Sequence, residues 1–346
     1  MGDNTLHRDI SNITFPLVQF KDNTLDDHFG VFPPEAPPSR LRRFPSTTIC
    51  PLDAFPPEIV QDILPRLDLR SLINFRLANR RTAEITRSLP QFNAVFTHAR
   101  HALRHLLAID AARHVTCATL YEKLCTAKCE DCGDFGGYLY LITCKRICFS
   151  CCTQNPVYLP IRLSTAWDQL QLDRSTTNTL PQMKVVPGVY SPVKDKFTSS
   201  IVMVDQMSAL SAYVEQHYET GHSIQDYGIH HRKVPAGMYV ELTPLGPVSS
   251  QSWNIHIFLS PLREQAAYVA LSRVPWLDRE AQKAEWGFHC VGCSRCSKHP
   301  LYYRRQYSTC SFLSHLEDCG EVENGEHRGE PGYLSRGLDT GSAQRS

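Results

Sequence analysis

CEDCGDFGGYLYLITCKRICFSC, residues 129–151, carries five cysteines, and Cys152 follows directly. Such a cluster is open to four chemistries: disulfides, a catalytic thiol, a redox pair or metal ligation. Compartment and spacing choose among them. The opening MGDNTLHRDISNITF has no apolar core of signal-peptide length, and no run in the chain reaches membrane-spanning length. The expected location is therefore cytoplasm and/or nucleus, where disulfides are disfavoured. Of the 14 cysteines, seven lie between Cys125 and Cys152 and five between Cys290 and Cys319. Clustering at short spacing in a reducing compartment argues for metal.

Cys129-x-x-Cys132 and Cys148-x-x-Cys151 form two knuckles with fifteen residues between them, the spacing of a structural four-cysteine zinc site. Each C-x-x-C turn supplies two soft thiolates from one tight bend. Gly133 follows the first pair, where a backbone without Cβ can curl toward the sulfurs. Tyr138 to Thr143 is strand-forming by composition, with Gly136-Gly137 as the turn before it. The stretch predicts a zinc ribbon over 129–160. Cys125, Cys144 and Cys152 are spare, and Cys144 can replace Cys151 as the partner of Cys148. A closed shell of four thiolates leaves no open position for catalysis. Asp134-Phe135-Gly136 and His7-Arg8-Asp9 spell kinase tripeptides, but no glycine-rich phosphate loop accompanies them. They are coincidences.

A second knuckle, Cys290-x-x-Cys293, follows Trp286-Gly287-Phe288-His289. Farther on, His315 and Cys319 stand four apart, on one face of a helix whose apolar stripe is Phe312 and Leu316. Ser308 or Thr309 can cap that helix and Gly320 can end it. The set Cys290, Cys293, His315 and Cys319 predicts a Cys2HisCys zinc-finger-like element over 286–319, with Cys296, His299 and Cys310 as rivals. Both zincs are expected to be structural. Twenty-one residues separate Cys293 from His315, unlike the short loop of a nucleic-acid finger, and Arg304-Arg305 is only a small basic spot.

The chain has 346 residues, 42% hydrophobic, with a formal net charge of +1. That length allows two or three compact units. The neutral balance gives no global attraction to nucleic acid or to an acidic membrane surface. No nucleophile elbow, P-loop, dinucleotide loop or H-E-x-x-H occurs, so no enzyme is expected.

Residues 51–90, PLDAFPPEIVQDILPRLDLRSLINFRLANRRTAEITRSLP, predict three short amphipathic helices. Pro57 suits a first helical position, and Ile59, Val60, Ile63 and Leu64 recur as one apolar face. Leu69, Leu72, Ile73 and Phe75 supply a second, and a third helix runs from Asn79 toward Arg87. So small a bundle has little core of its own, and a partner surface is expected.

This segment resembles the F-box through Leu52, Pro56, Glu58, Ile59, Ile63, Leu64, Leu67, Leu72, Leu77 and Asn79. Leu77-Ala78-Asn79-Arg80 departs from the Val-Cys-Lys-like ending of many members. The resemblance extends through C-x-x-C-G-x-F-G-G, T-C-K-R-x-C-F-x-C, Pro187-Gly188-x-Tyr190-Ser191 and Trp286-Gly287-Phe288-His289-Cys290 to a family of filamentous-fungal F-box proteins. It implies a receptor subunit of a Skp–cullin–F-box ubiquitin ligase. Such a subunit docks a Skp-type linker, and through it a cullin scaffold, by Leu52, Pro56, Ile59, Ile63, Leu64, Leu67, Leu72 and Leu77, and holds an unknown client in its C-terminal region. The alternative is a zinc-binding transcriptional or nucleic-acid-binding regulator, for which the basic, aromatic-interleaved stripe is missing.

The expected class is α+β: a flexible arm at 1–48, a three-helix box at 49–91, a helical linker at 92–128 and the ribbon at 129–160. A mixed region follows at 161–285, then the finger-like element at 286–319 and a disordered tail at 320–346. Within 92–128, His98, His101 and His105 fall at helical spacing and predict a polar face.

Overall fold

The chain enters the fold earlier than its polar, proline-containing start suggests. The computed structural model describes residues 10–16, 22–29, 55–191, 195–218, 238–244, 253–259, 268–294 and 301–328. Within the expected arm, β1 (Thr14–Pro16) pairs antiparallel with Phe288–Cys290, and α1 (Leu25–His28) carries the fully buried Leu25. The reading of 1–48 as one flexible arm is corrected at these two segments.

Three helices occupy the segment from 57 to 88. Pro57 opens α2 (Pro57–Ile63), and Pro65 turns its end into a 3-10 turn, Leu64–Arg66. The Asp68 side chain accepts from Ser71 N to start α3 (Leu69–Ala78), and Asn79 accepts from Thr82 N to start α4 (Arg80–Ser88). Caps of this kind contribute about 1 kcal/mol each. Pro90 then starts α5 (Pro90–His98), followed by α6 (Arg100–Ala108) and α7 (Cys117–Leu124).

These helices do not stand apart from the ribbon. Leu69 N–H donates to Val115 O at 2.9 Å and Cys117 N–H to Leu67 O at 3.3 Å. One continuous core takes in Leu64, Leu69, Leu72, Phe92, Leu106, Leu120, Leu139, Ile147 and Leu271. The boundaries expected at 91 and 128 separate stretches of sequence, not cores.

β2 (Tyr138–Tyr140) and β3 (Lys145–Ile147) form the hairpin between the first two knuckles, and α8 (Phe149–Gln154) follows. Beyond them lie β4 (Ile161–Arg162), α9 (Leu163–Asp168), α10 (Arg174–Thr179), β5 (Gln182–Lys184), β6 (Gly188–Tyr190), β7 (Asp195–Phe197), β8 (Val202–Val204) and α11 (Gln206–Tyr218). A sheet in the order β4-β8-β5 covers a second, smaller core of Ile161, Ala166, Leu170, Leu180, Val204 and Leu210, while β6 pairs with β7. Farther along, β9 (Met238–Pro244) and β10 (Trp253–Leu259) form an antiparallel pair.

β11 (Leu271–Arg273) returns to add a third strand to the ribbon, in the order β11-β2-β3. The ribbon is therefore completed by residues far downstream. β12 (Trp276–Asp278) pairs with β13 (Lys283–Glu285), and β14 (Phe288–Cys290) leads into α12 (Val291–Ser294). Ser308 caps α13 (Thr309–Cys319), and a hairpin of β15 (Val322–Glu323) and β16 (Glu326–His327) follows it. A third cluster, Ile10, Cys290, Cys293, Tyr307 and Phe312, fills this end. The chain is thus mixed helix and strand. Among the described residues no helix is long and apolar enough to cross a membrane.

Candidate functional site

The first knuckles meet as the spacing requires. Ligand atoms of Cys129, Cys132, Cys148 and Cys151 lie within 4.8 Å of one another, with the Cys132 and Cys148 sulfurs 3.6 Å apart. Tetrahedral zinc with four thiolates needs sulfurs about 3.8 Å apart. Gly133, at φ +80°, donates its N–H to Cys129 O at 3.0 Å and closes the first bend. Cys151 N–H points at Cys148 Sγ, 3.4 Å away. Contacts from Cys132, Cys148 and Cys151 hold the Cys129 thiol well below its ordinary range. Four thiolates this close repel one another, and a divalent cation relieves that repulsion.

The spare thiols separate from the cluster. Cys144 and Cys152 are buried, and burial pushes each up to about 12, which keeps them protonated. Cys152 Sγ donates to Phe149 O at 3.1 Å, the geometry of a core thiol. Neither these two nor Cys125 belongs to the group of four.

The second cluster differs from its expected form in one member. Cys290, Cys293 and His315 come together, and the fourth ligand atom belongs to His327, not Cys319. His315 Nε2 is 3.4 Å from Cys293 Sγ, and His327 Nε2 lies 3.4 Å from Cys290 Sγ and 3.5 Å from Cys293 Sγ. A tetrahedral zinc with mixed sulfur and nitrogen ligands sets these edges at about 3.5 Å. Each imidazole also has a partner on its far nitrogen: Tyr307 OH lies 3.3 Å from His315 Nδ1, and Gly320 O lies 2.9 Å from His327 Nδ1. Such outer contacts fix tautomer and ring orientation in metal sites. The contact from Cys293, and to a lesser degree His315, holds Cys290 down to about 4 against its burial.

Cys319 is buried at the end of α13 but lies outside the group. Gly320 (φ +80°) breaks the helix there, and the hairpin brings His327 back over Gly292. A Cβ on Gly292 would come within 2.7 Å of the His327 ring, so only glycine leaves room for it. The expectation of a disordered tail from 320 hid this ligand. Its signal was Asn324-Gly325, both at positive φ, the two-residue turn that favours a tight hairpin. The rival Cys310 is exposed, and Cys296 and His299 lie outside the described residues.

The residues expected to dock a partner divide into two sets. Leu64 and Leu72 are core, and Leu67 packs partly buried against it. Ile59 and Ile63, one helical turn apart on α2, are 46% and 53% exposed; Leu77 at the end of α3 is 56% and Phe55 is 54% exposed. The single apolar face expected on α2 is really two, because Val60 and Leu64 turn inward while Ile59 and Ile63 turn out. Pro56 is exposed and Leu52 lies outside the described residues.

Three further readings change. Arg304 and Arg305 are not a basic spot: Arg304 binds Asp22, and Arg305 binds Asp134 at 2.6 Å. Asp134, of the kinase-like tripeptide, is thus a structural ion-pair partner. His105 is fully buried, with Nδ1 2.8 Å from Ser272 Oγ, and not part of a polar face. In comparisons with known proteins, the chain matches no family model, no curated protein and no solved structure.

Proposed function

We propose that the chain is a zinc-braced F-box receptor, docking a Skp-type linker through α2 and α3 and so joining a cullin-based ubiquitin ligase in the cytoplasm and/or nucleus. The observation that carries this reading is the exposed apolar set Phe55, Ile59, Ile63 and Leu77. It lies within the segment that resembles the F-box, with Phe55 just ahead of α2 and the other three on helices whose opposite faces are fixed in the core. Burying each of these side chains under a partner contributes about 1.5–3 kcal/mol. In this reading the protein does no chemistry of its own and holds its client through the C-terminal body.

Zinc is the metal proposed for both clusters. Thiolate with imidazole in a closed tetrahedron suits it, and neither group of four leaves a position for a reacting water. The regulator reading is weaker, because Arg304 and Arg305 are engaged inside the protein.

The test is affinity purification with identification of what co-purifies, first for the native chain and then for Ile59→Asp/Ile63→Asp. A Skp-type subunit recovered with the first and lost with the second supports the reading. Equal recovery with both rules it out. Leu64 and Leu72 are unsuitable for this purpose, since a charge at either breaks the core.

A further inference from the structure

Residues 22–29, DNTLDDHF, are held by side chains from four distant parts of the chain. Asp22 is buried and accepts from Arg304 Nη2 at 2.7 Å, Arg273 Nη2 at 3.2 Å and Tyr138 OH at 2.9 Å. Leu25 is fully buried in the main core, and Asp26 Oδ2 accepts the Arg273 backbone N–H at 2.8 Å. Phe29 lies 5.0 Å from the His105 ring, with the Arg104 guanidinium 4.9 Å over it. Two of these anchors, Leu25 and Asp26, sit on the single turn of α1, and the other two, Asp22 and Phe29, lie just beyond its ends.

Between the anchors, the segment meets Pro187-Gly188-x-Tyr190-Ser191, a motif that neither the metal clusters nor the α2–α3 face uses. Asn23 Nδ2 donates to Ser191 Oγ at 2.9 Å, and the His28 ring sits 4.4 Å from Tyr190. A Cβ on Gly188 would stand 2.6 Å from His28, so glycine is what admits that ring. The contrast with β1 is plain. Thr14–Pro16 is held by a backbone ladder, whereas residues 22–29 are read through their side chains.

We propose that this groove is a peptide-recognition site that residues 22–29 occupy in cis, and that it accepts in trans a partner segment of the form Asp-x-x-Leu-Asp-x-x-Phe. The partner is an acidic segment of another protein that forms one helical turn between its two end anchors. Its leading carboxylate takes the place of Asp22 between Arg273 and Arg304, and its leucine fills the Leu25 socket. The site is separate from the exposed face of α2 and α3 and stands without the linker reading.

The probe is a fluorescent peptide of residues 20–31, added to zinc-loaded full-length protein. The native chain should not bind it, because the groove is filled. A chain with Asp22→Ala and Leu25→Ala should bind it saturably, at least tenfold more tightly than the native chain. As an independent route, protease sites placed after Val18 and after Pro38 let the segment leave without altering any groove residue. The cleaved chain should exchange its segment for the peptide. Adding Gly188→Ala to it, or placing the two alanines in the peptide, should weaken binding tenfold or more. The cleaved chain decides the matter. No saturable binding to it, or loss of its metal and fold when the segment leaves, would overturn the proposal, because the groove would then be core.

Discussion

The helices α2 and α3 and the two metal clusters answer the same difficulty in opposite ways. Each is a short stretch with too few apolar residues to fold on its own. The clusters draw most of their ligands inward: Cys129, Cys148, Cys290, Cys293 and His315 are buried, Cys151 and His327 are half-buried, and Cys132 is exposed. On α2 and α3 the inner faces join the core, yet Ile59, Ile63 and Leu77 remain in solvent. On the proposed function, a metal would complete the first kind of unit and a partner the second. Damage should therefore read out differently, as lost fold in one and as lost binding in the other.

The largest effect is expected at the ribbon. A structural zinc contributes on the order of 10–16 kcal/mol to folding its module. Cys132→Ser should unfold 125–160, and because β11 and α5–α7 share that core, the disturbance should spread into them. Limited proteolysis with metal analysis checks this, with Cys152→Ser as the control that keeps its metal. An intact, zinc-replete Cys132→Ser protein would mean that the stretch is not this site.

At the second cluster the sharper comparison is between two residues. His327→Ala should remove one zinc and free the Val322–His327 hairpin, while Cys319→Ser should keep both zincs. The reverse outcome would restore Cys319 as the fourth ligand. Mass spectrometry of the metal-loaded proteins distinguishes them.

A smaller effect lies under α6. Burial lowers His105 from 6.5 to about 3, so the folded protein keeps it neutral where the unfolded chain is protonated. Stability should be level above pH 6.5 and fall as pH drops from there toward 3, by up to about 1.4 kcal/mol per pH unit. Denaturant titrations across that range should show a shallower fall for His105→Gln.

The smallest change in stability is expected at Ile63→Asp. At an exposed position it should stay within about 0.5 kcal/mol of the native chain. A large loss there would make α2 an ordinary core helix and erase the contrast with the metal clusters.

What could be read in the sequence tracked sequence distance. The four-thiolate cluster was legible in full because each pair of ligands sits within one turn. The helices over 57–88 were legible from Pro57, Asp68 and Asn79, which carry their own start signals. The second cluster was legible in three ligands of four: His315 and Cys319 share a helix face, but no local pattern says that a hairpin will bring His327 to the same point. Long-range contacts were hidden for the same reason. Nothing near Tyr138 announces β11, and nothing in DNTLDDHF announces Arg304. On α2, the two-way split of Ile59 and Ile63 from Val60 and Leu64 could not be seen, because all four residues are apolar and only the packing tells inside from outside.

The most direct test of the account is a binding measurement between the purified zinc-loaded chain and a recombinant Skp-type subunit, by titration calorimetry and by size-exclusion chromatography. The native chain should form a one-to-one complex. Ile59→Asp/Ile63→Asp should form none, while keeping its two zincs and its denaturation midpoint. Failure of the native chain to bind, or undiminished binding by the double variant, would contradict the account.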